Sequence, residues 1–332
     1  MIRILHLLPT SQPGGGPRHV SDLMWNLPTG LIRSGLVAPD GPLRNEIVAA
    51  GFPTFEADLH RLRWRTWRQV VRAALAFRPD VIHSHGKGPG LYGRILARGL
   101  GIPSVHTFHG WHLPRRHAAW YIRLERWLAR RTDALIHVAP SEADEADRLK
   151  FRPRQSWVIP NGIDAEYVRT QAGPAYPHEV PSIGCMARQT DPVKHIDHLK
   201  HAVATWGKGV LMLPNSQAAF RPDFYRLIDI YASASAGEGL PYAMLDAMAC
   251  GLPVVATRVR GHTDLVRHGM TGFLTSPGHP HEMAAYFDKL ADPEARRQLG
   301  ENGRVVIETD HRLDDMVRRT ADCYRAVLGR DR

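Results

Sequence analysis

Short apolar runs alternate with longer helical patterns along nearly the whole chain, and this alternation admits few folds. A strand pattern followed by a helix pattern, repeated, requires a parallel sheet whose strands are joined by crossover helices. "IRILHLL" is a first strand that stops at Pro9, and "SQPGGGPRHVSDLMWNL" is a glycine loop feeding a helix. "DVIHSH", "PSVHTFHG" and "DALIHVAP" read as further strands, with "GPGLYGRILARGL", an arginine-rich helix and "SEADEADRLK", capped by Ser141, between and after them. Thr170–Pro181, "TQAGPAYPHEVP", breaks the pattern with three prolines and a glycine and reads as a linker. A second series starts at "SIGCMARQ" and "VKHIDHLKHAVATW", runs through "GVLMLP", "FYRLIDIYAS", "PVVAT" and "TGFLT", and ends in helices from His281 onward. There is no repeat of fixed period. The expected architecture is α/β, with two Rossmann-like domains facing each other across a cleft. The expected divisions are an N-terminal domain over 1–169, a linker over 170–181, a C-terminal domain over 182–310, and a helix over 311–332 that packs back on the N-terminal domain.

At 332 residues and 43% hydrophobic composition, two cores of ordinary size are the natural solution. No run of about 18 apolar residues suggests a membrane span. Met1–Pro9 reads as a buried strand rather than a secretory leader, so a cytosolic protein is expected. Cys185, Cys250 and Cys323 are scattered without metal-ligand or redox spacing and read as buried thiols.

The net charge of +10 favours an anionic partner, and it is unevenly placed. Arg61, Arg63, Arg65, Arg68 and Arg72 surround Trp64 and Trp67, and the stretch from Trp111 to Arg131 repeats the mixture with Arg115 and Arg116 near its start. Such helices lie on anionic lipid, or they are solvated helices whose tryptophans face a core. Nucleic acid is not the expected partner.

"GEGLPYAMLDAMACGLPVVAT", Gly237–Thr257, carries the chemistry. Pro241 suits the first turn of a helix of about ten residues, and Gly251 suits the position past its end. Ala243, Met244, Ala247 and Met248 recur at helical spacing and read as core. Gly237 and Gly239 let a backbone approach a phosphate closely at the helix start. Glu238 can complement that positive start, whereas Asp246 is too deep in the helix to cap it. Carboxylates accept hydrogen bonds, so two of them beside a phosphate cradle suit a ligand that also carries hydroxyls, such as a sugar nucleotide.

At these residues the chain resembles the retaining GT-B glycosyltransferases of family 4, glycosyl transferases group 1. "EGLPYAMLD", "AMACGLPVVAT" and "GMTGFL" match the family signature of Glu, seven residues, Glu. "GGGPRHV", "HSHGKGPGLYGR", "HTFHGWH", "VIPNGID" and "MARQTDPVKHID" follow in the family's order over nearly the whole chain. The resemblance implies that Arg188 and Lys194 bind the donor diphosphate, and that Glu238, with Gly239 and Leu240, meets the donor sugar. It further implies that Asp246 meets the ribose, that Gly15 and Gly16 close over the diphosphate, and that His109 sits near the anomeric carbon. Arginine and lysine suit a pyrophosphate leaving group because charge grows on it as the glycosidic bond breaks.

Two departures accompany the match. The second signature carboxylate is Asp246, one methylene short, which displaces the acid by about 1.5 Å. "GKGVLMLPNSQAAFRPD" stands where the family has a strand, helix and strand, so the C-terminal domain is shortened where relatives form the base pocket.

His83, His85, His106, His109 and His112 gather near two strand ends and in threes could converge on zinc, but no acidic or cysteine ligand accompanies them. No Asp-x-Asp triplet occurs, and Arg188 with Lys194 takes over the electrostatic role of a cation. The expectation is a retaining, metal-independent glycosyltransferase that needs no cofactor and uses a nucleoside-diphosphate sugar. Its acceptor would be a lipid-linked or cell-envelope glycan, with Arg61, Arg65, Arg68, Trp64, Trp67, Arg115 and Arg116 as the acceptor or membrane surface at the inner face of the membrane. The alternatives are a sugar-nucleotide epimerase or hydrolase, and a non-catalytic binding relative.

Overall fold

The computed structural model describes residues 1–110, 118–176, 178, 180–214 and 222–329. The chain divides into two compact units, Met1–Pro160 with Asp314–Arg332, and Asn161–Leu313.

In the first unit β1 (Ile2–Leu7) leads through the glycine loop to α1 (Gly15–Asn26), followed by β2 (Ile32–Ala38), α2 (Pro42–Ala49), β3 (Thr54–Glu56) and α3 (Trp64–Phe77). Next come β4 (Val81–His85), α4 (Lys87–Leu100), β5 (Ser104–Thr107), α5 (Ala118–Ala129), β6 (Ala134–His137), α6 (Pro140–Arg148) and β7 (Gln155–Val158). The strands form one parallel sheet in the order β3-β2-β1-β4-β5-β6-β7. The order turns back between β1 and β4, and in open α/β sheets that is where a ligand crevice opens at the carboxyl ends of the strands. Because crossover helices cover both faces, the central strands are buried on both sides. Leu5, Leu7, Val37 and Ile82 pack with Val70, Ala74 and Leu96 in one cluster, and Leu8, Leu36 and Ala38 pack with Val20, Met24 and Ile47 in another.

The second unit holds α7 (Ala165–Ala172), β8 (Ser182–Gly184), a 3-10 turn at Pro192–Lys194, α8 (Ile196–Trp206), β9 (Val210–Met212), β10 (Ile230–Ser233) and α9 (Tyr242–Ala249). It continues with β11 (Val254–Thr257), α10 (His262–Leu265), β12 (Gly272–Thr275), α11 (Pro280–Lys289) and α12 (Pro293–Asp310). Its parallel sheet runs β12-β11-β10-β8-β9, so its order turns back between β10 and β8. Ile183, Leu199, Val203, Ile230, Ala232, Val255, Phe287 and Leu290 form its core.

The final helix, α13 (Leu313–Val327), belongs to the first unit, where Tyr324 Oη lies 2.7 Å from His83 Nδ1 and Arg319 Nη2 donates to the Val158 carbonyl at 2.5 Å.

Several local expectations are corrected. Thr170–Ala172 end α7, which the Asp164 carboxylate caps by accepting from the Tyr167 N–H, instead of opening a linker, and the division between the units falls after Pro160. Ser141 is not the cap of α6: Ala139 holds that position and Pro140, with φ already fixed, starts the helix. Pro241 is the N-cap of α9, which has 8 residues. β2 and β3, unassigned from the sequence, complete the first sheet. No helix among the described residues is long and apolar enough to cross a membrane.

Candidate active site

The loops that follow the sheet strands carry most of the donor-site residues singled out from the sequence. In the second unit β8 delivers the segment with Arg188 and Lys194, and β10 delivers the loop with Glu238 and Gly239. The Ala236 N–H donates to the Val193 carbonyl at 2.8 Å and ties the two segments together. Lys194 Nζ then lies 2.5 Å from Glu238 Oε1, with both side chains largely enclosed. Burial raises the Glu238 carboxyl, but the Lys194 ammonium, the nearby His262 and hydrogen bonds from Lys194 and Ser235 outweigh it, so the group stays below the usual carboxylate range. Arg188 is exposed and meets Asp191 at 3.3 Å. The Glu238 N–H donates to the Arg260 carbonyl at 3.3 Å.

A methyl group on Gly261 would stand 2.1 Å from the Gly239 carbonyl oxygen, and φ there is +81°, so only glycine lets the β11–α10 turn press against the Glu238–Gly239 loop. The Leu240 carbonyl accepts from Asn161 Nδ2 at 2.8 Å, which places the asparagine of "VIPNGID" under the same loop. Met244, Leu245, Ala247 and Met248 are buried as expected of core, and Ala243 is half-buried. Asp246 is fully buried on α9, with Tyr225 Oη 3.5 Å from its Oδ2.

In the first unit, Gly15 and Gly16 begin α1 after Gly14, and a methyl on Gly16 would touch the His109 ring at 3.9 Å. His109 has φ of +61° and Gly110 +105°. Glu142, buried at the start of α6, holds that turn: its Oε1 accepts from the Gly110 N–H at 2.7 Å and its Oε2 from the Val138 N–H at 2.9 Å.

The histidines form a continuous group larger than the sequence indicates. His6 on β1 is the register partner of His83 on β4, and His19 of α1 joins them. His85 Nε2 lies 3.2 Å from His6 Nδ1, and His85 Nδ1 lies 3.1 Å from His109 Nε2. His83 Nε2 meets Thr107 Oγ1 at 2.9 Å, and His106 Nδ1 meets Ser84 Oγ at 2.9 Å. Burial holds five of these rings neutral: His83, His85, His106 and His109 fall well below their ordinary value, and His6, also repelled by His19, falls to about 3.

On the remaining expected surface, Arg61, Trp64, Arg65 and Arg68 are exposed. Trp64, which starts α3, is 74% exposed, whereas Trp67 is half-buried and stacks on Tyr92 with ring centroids 6.0 Å apart. Trp111, His112, Arg115 and Arg116 lie outside the described residues.

The profile described as Glycosyltransferase Family 4 matches residues 13–167, and that of Glycosyl transferases group 1 matches residues 189–292. The chain belongs to the group 1 glycosyltransferases. This group 1 glycosyltransferase is 26% identical to Bacillus subtilis EpsD over 80% of this chain and 81% of the relative. It is 24% identical to the Escherichia coli UDP-Gal:alpha-D-GlcNAc-diphosphoundecaprenol alpha-1,3-galactosyltransferase over 74% of this chain and 75% of the relative. The crystal structure of Anabaena HepE in complex with UDP-glucose superposes with a TM-score of 0.85 at 21% identity, covering 98% of this chain and all of that one. The fold of this group 1 glycosyltransferase is therefore GT-B, with two Rossmann-like units.

Sequence reasoning missed His6, His19, His262 and Glu142. His6 and His19 lie far from the histidine motifs along the chain, and only the β1–β4 pairing brings them in. Glu142 carries a weak signal as the acidic residue in the first turn of α6.

Proposed function

We propose that this glycosyltransferase moves a sugar from a uridine-diphosphate donor to an acceptor hydroxyl with retention of anomeric configuration and without a metal ion. The observation that carries this reading is the Lys194–Glu238 pair at the switch point of the second unit, an enclosed cation beside a carboxylate that remains ionised. Lys194 and Arg188 take the donor diphosphate, Glu238 with Gly239 and Leu240 takes the sugar hydroxyls, and Asp246 the ribose. The HepE complex with UDP-glucose supports the donor class. The bond from the anomeric carbon to the phosphate oxygen breaks as charge collects on the diphosphate. The acceptor oxygen bonds to that carbon from the same face, and the acceptor proton passes to the departing phosphate oxygen. Lys194 and Arg188 stabilise the charge as it forms, which is where electrostatic catalysis acts. His109, held in its turn by Glu142, lies beside the anomeric carbon as a stabiliser, not as a base.

The acceptor is a lipid-linked or envelope glycan reached at an anionic membrane surface, with Trp64, Arg65 and Arg68 on the exposed side of α3. The acceptor named for the Escherichia coli relative, a diphosphoundecaprenol-linked sugar, supports this class.

The test is incubation of the protein with UDP-sugars, with and without polyprenyl-diphosphate-linked sugars, followed by UDP release and by the anomeric configuration of the product in NMR. Retained configuration and undiminished turnover in excess EDTA are expected. Inverted product, or loss of turnover in chelator that magnesium or manganese restores, overturns the reading. Conversion of donor without any acceptor points to the epimerase or hydrolase class.

A further inference from the structure

We propose that His19, His85 and His109 form a binding site for one first-row divalent cation of the zinc class, and that an ion held there blocks sugar transfer. The blocking half rests on the reading of His109 as the histidine beside the anomeric carbon.

The geometry carries the site. One ring nitrogen from each of the three histidines lies within 4.8 Å of the others. Zinc–nitrogen bonds of about 2.0–2.1 Å in a tetrahedron separate ligand nitrogens by about 3.4 Å. His85 Nδ1 and His109 Nε2 are 3.1 Å apart already as a hydrogen-bonded pair, so an ion that displaces the shared proton needs little change in their spacing. Ring centroids stand 4.7 Å apart for His19 and His109, 5.3 Å for His85 and His109, and 5.7 Å for His19 and His85. Three imidazoles on one tetrahedral ion have centroids about 5 Å apart, so the rings already have the spacing of a ligated trio.

In the neighbouring set of His6, His83 and His85, ligation through His83 would break a bond to a hydroxyl. Both nitrogens of His83 are engaged, one by Tyr324 Oη and the other by Thr107 Oγ1. When His85 ligates through Nδ1, its Nε2 keeps the proton and donates to His6 Nδ1 at 3.2 Å, the outer-shell hydrogen bond that orients ligating imidazoles. Glu142 holds the backbone of the His109–Gly110 turn through the Gly110 N–H, and the His109 ring already rests against His85 and His19. Burial keeps His85 and His109 unprotonated, the form that binds metal. An all-imidazole set suits zinc, nickel, cobalt and copper, whereas magnesium and calcium demand oxygen. Three protein ligands leave one position of a tetrahedral ion open, to water or to a substrate oxygen.

The experiment uses the full chain, freed of metal with EDTA. Zinc binding is followed by calorimetry and by metal analysis after desalting, and cobalt(II) serves as the spectroscopic probe of tetrahedral coordination. One ion per chain is expected, with visible cobalt bands and a rise in Tm. His19→Ala and the milder His19→Asn should each weaken zinc at least tenfold, and His85→Gln likewise, while magnesium gives no signal. His6→Gln should retain the ion. Circular dichroism and the metal-free Tm of each variant establish folding, and His19→Asn decides if His85→Gln unfolds. No saturable zinc binding, or binding unchanged in folded His19 variants, overturns the site. Loss in His6→Gln with retention in the His19 variants assigns the ion to the other trio and also overturns it. Zinc should inhibit UDP release and EDTA should restore it; full activity with the site saturated overturns the blocking role. A protein that binds zinc as described but turns over no UDP-sugar keeps the site and instead defeats the proposed function.

Discussion

Lys194 Nζ and Glu238 Oε1, separated by more than forty positions in the chain, sit 2.5 Å apart in the second unit with both side chains largely enclosed. The lysine that is to meet the diphosphate and the acid that is to meet the sugar are thus one electrostatic unit, in which the ammonium helps keep the Glu238 carboxylate ionised.

Removing Lys194 therefore has two effects. Lys194→Ala should lower turnover about a hundredfold, as for other lost transition-state donors. It also leaves the Glu238 carboxylate enclosed without its partner, which costs about 2–3 kcal/mol, less than for a fully enclosed pair because the lysine is 21% exposed. Arg188→Ala should show a similar loss of rate but a stability change within about 1 kcal/mol, since its bond to Asp191 is solvated. Initial rates and urea unfolding separate the two effects, and wild-type rates in both variants would sink the donor assignment.

Stability should fall as the pH drops below about 6.5. The folded chain holds His6, His83, His85 and His106 neutral well below their ordinary value, so at pH 5–6 the unfolded chain binds protons that the folded chain refuses. Each ring then contributes a loss of about 1.4 kcal/mol per pH unit, and nothing is lost above 6.5, where both states are neutral. His6→Gln should reduce the proton uptake on unfolding at pH 5 by about one. A stability flat from pH 7.5 to 5 contradicts the neutral cluster.

Gly261→Ala and Gly51→Ala form a matched pair, since both glycines have φ of +81° but only Gly261 is crowded. Gly51→Ala should cost about 1 kcal/mol, the strain of a left-handed residue. Gly261→Ala should cost more, about 2–4 kcal/mol, and weaken UDP binding, because the Gly239 carbonyl and the Glu238 side chain must move. Equal thermal shifts for the two would show that the contact is not needed.

The exposed basic edge of α3 should bind anionic vesicles and not neutral ones, with the association falling steeply as salt is added. Reversal of Arg61, Arg65 and Arg68 to Glu together should release the protein in co-sedimentation while UDP binding persists. Binding to neutral vesicles equal to that on anionic ones would leave Trp64 and its arginines as an ordinary solvated helix edge.

The repeating strand and helix order was legible because most strands of a covered parallel sheet read as short, largely apolar runs, as in "VVAT" of β11. β2 escaped because "IRSGLVA" mixes Arg33, Ser34 and Gly35 into the run. The structure explains the glycine: a methyl on Gly35 would meet the Phe77 ring at 2.8 Å, so packing against α3 requires the residue that hides the strand. The site was legible as a set of separate residues, since Glu238, Lys194 and His109 sit in local motifs. Their couplings were not. The Lys194–Glu238 bond, the grip of Glu142 on the His109 turn and the joining of His6 to His83 all depend on sheet order, which no local window contains.

The return of α13 to the first unit sets the timing of folding during synthesis. Pro160 is in place long before Asp314 is made, and the whole of Asn161–Leu313 lies between. Until the last helix emerges, His83 lacks the Tyr324 hydroxyl and Val158 lacks the Arg319 guanidinium. The first unit thus starts before the second and is completed after it, and His83 at its centre waits for a residue 241 positions further along the chain.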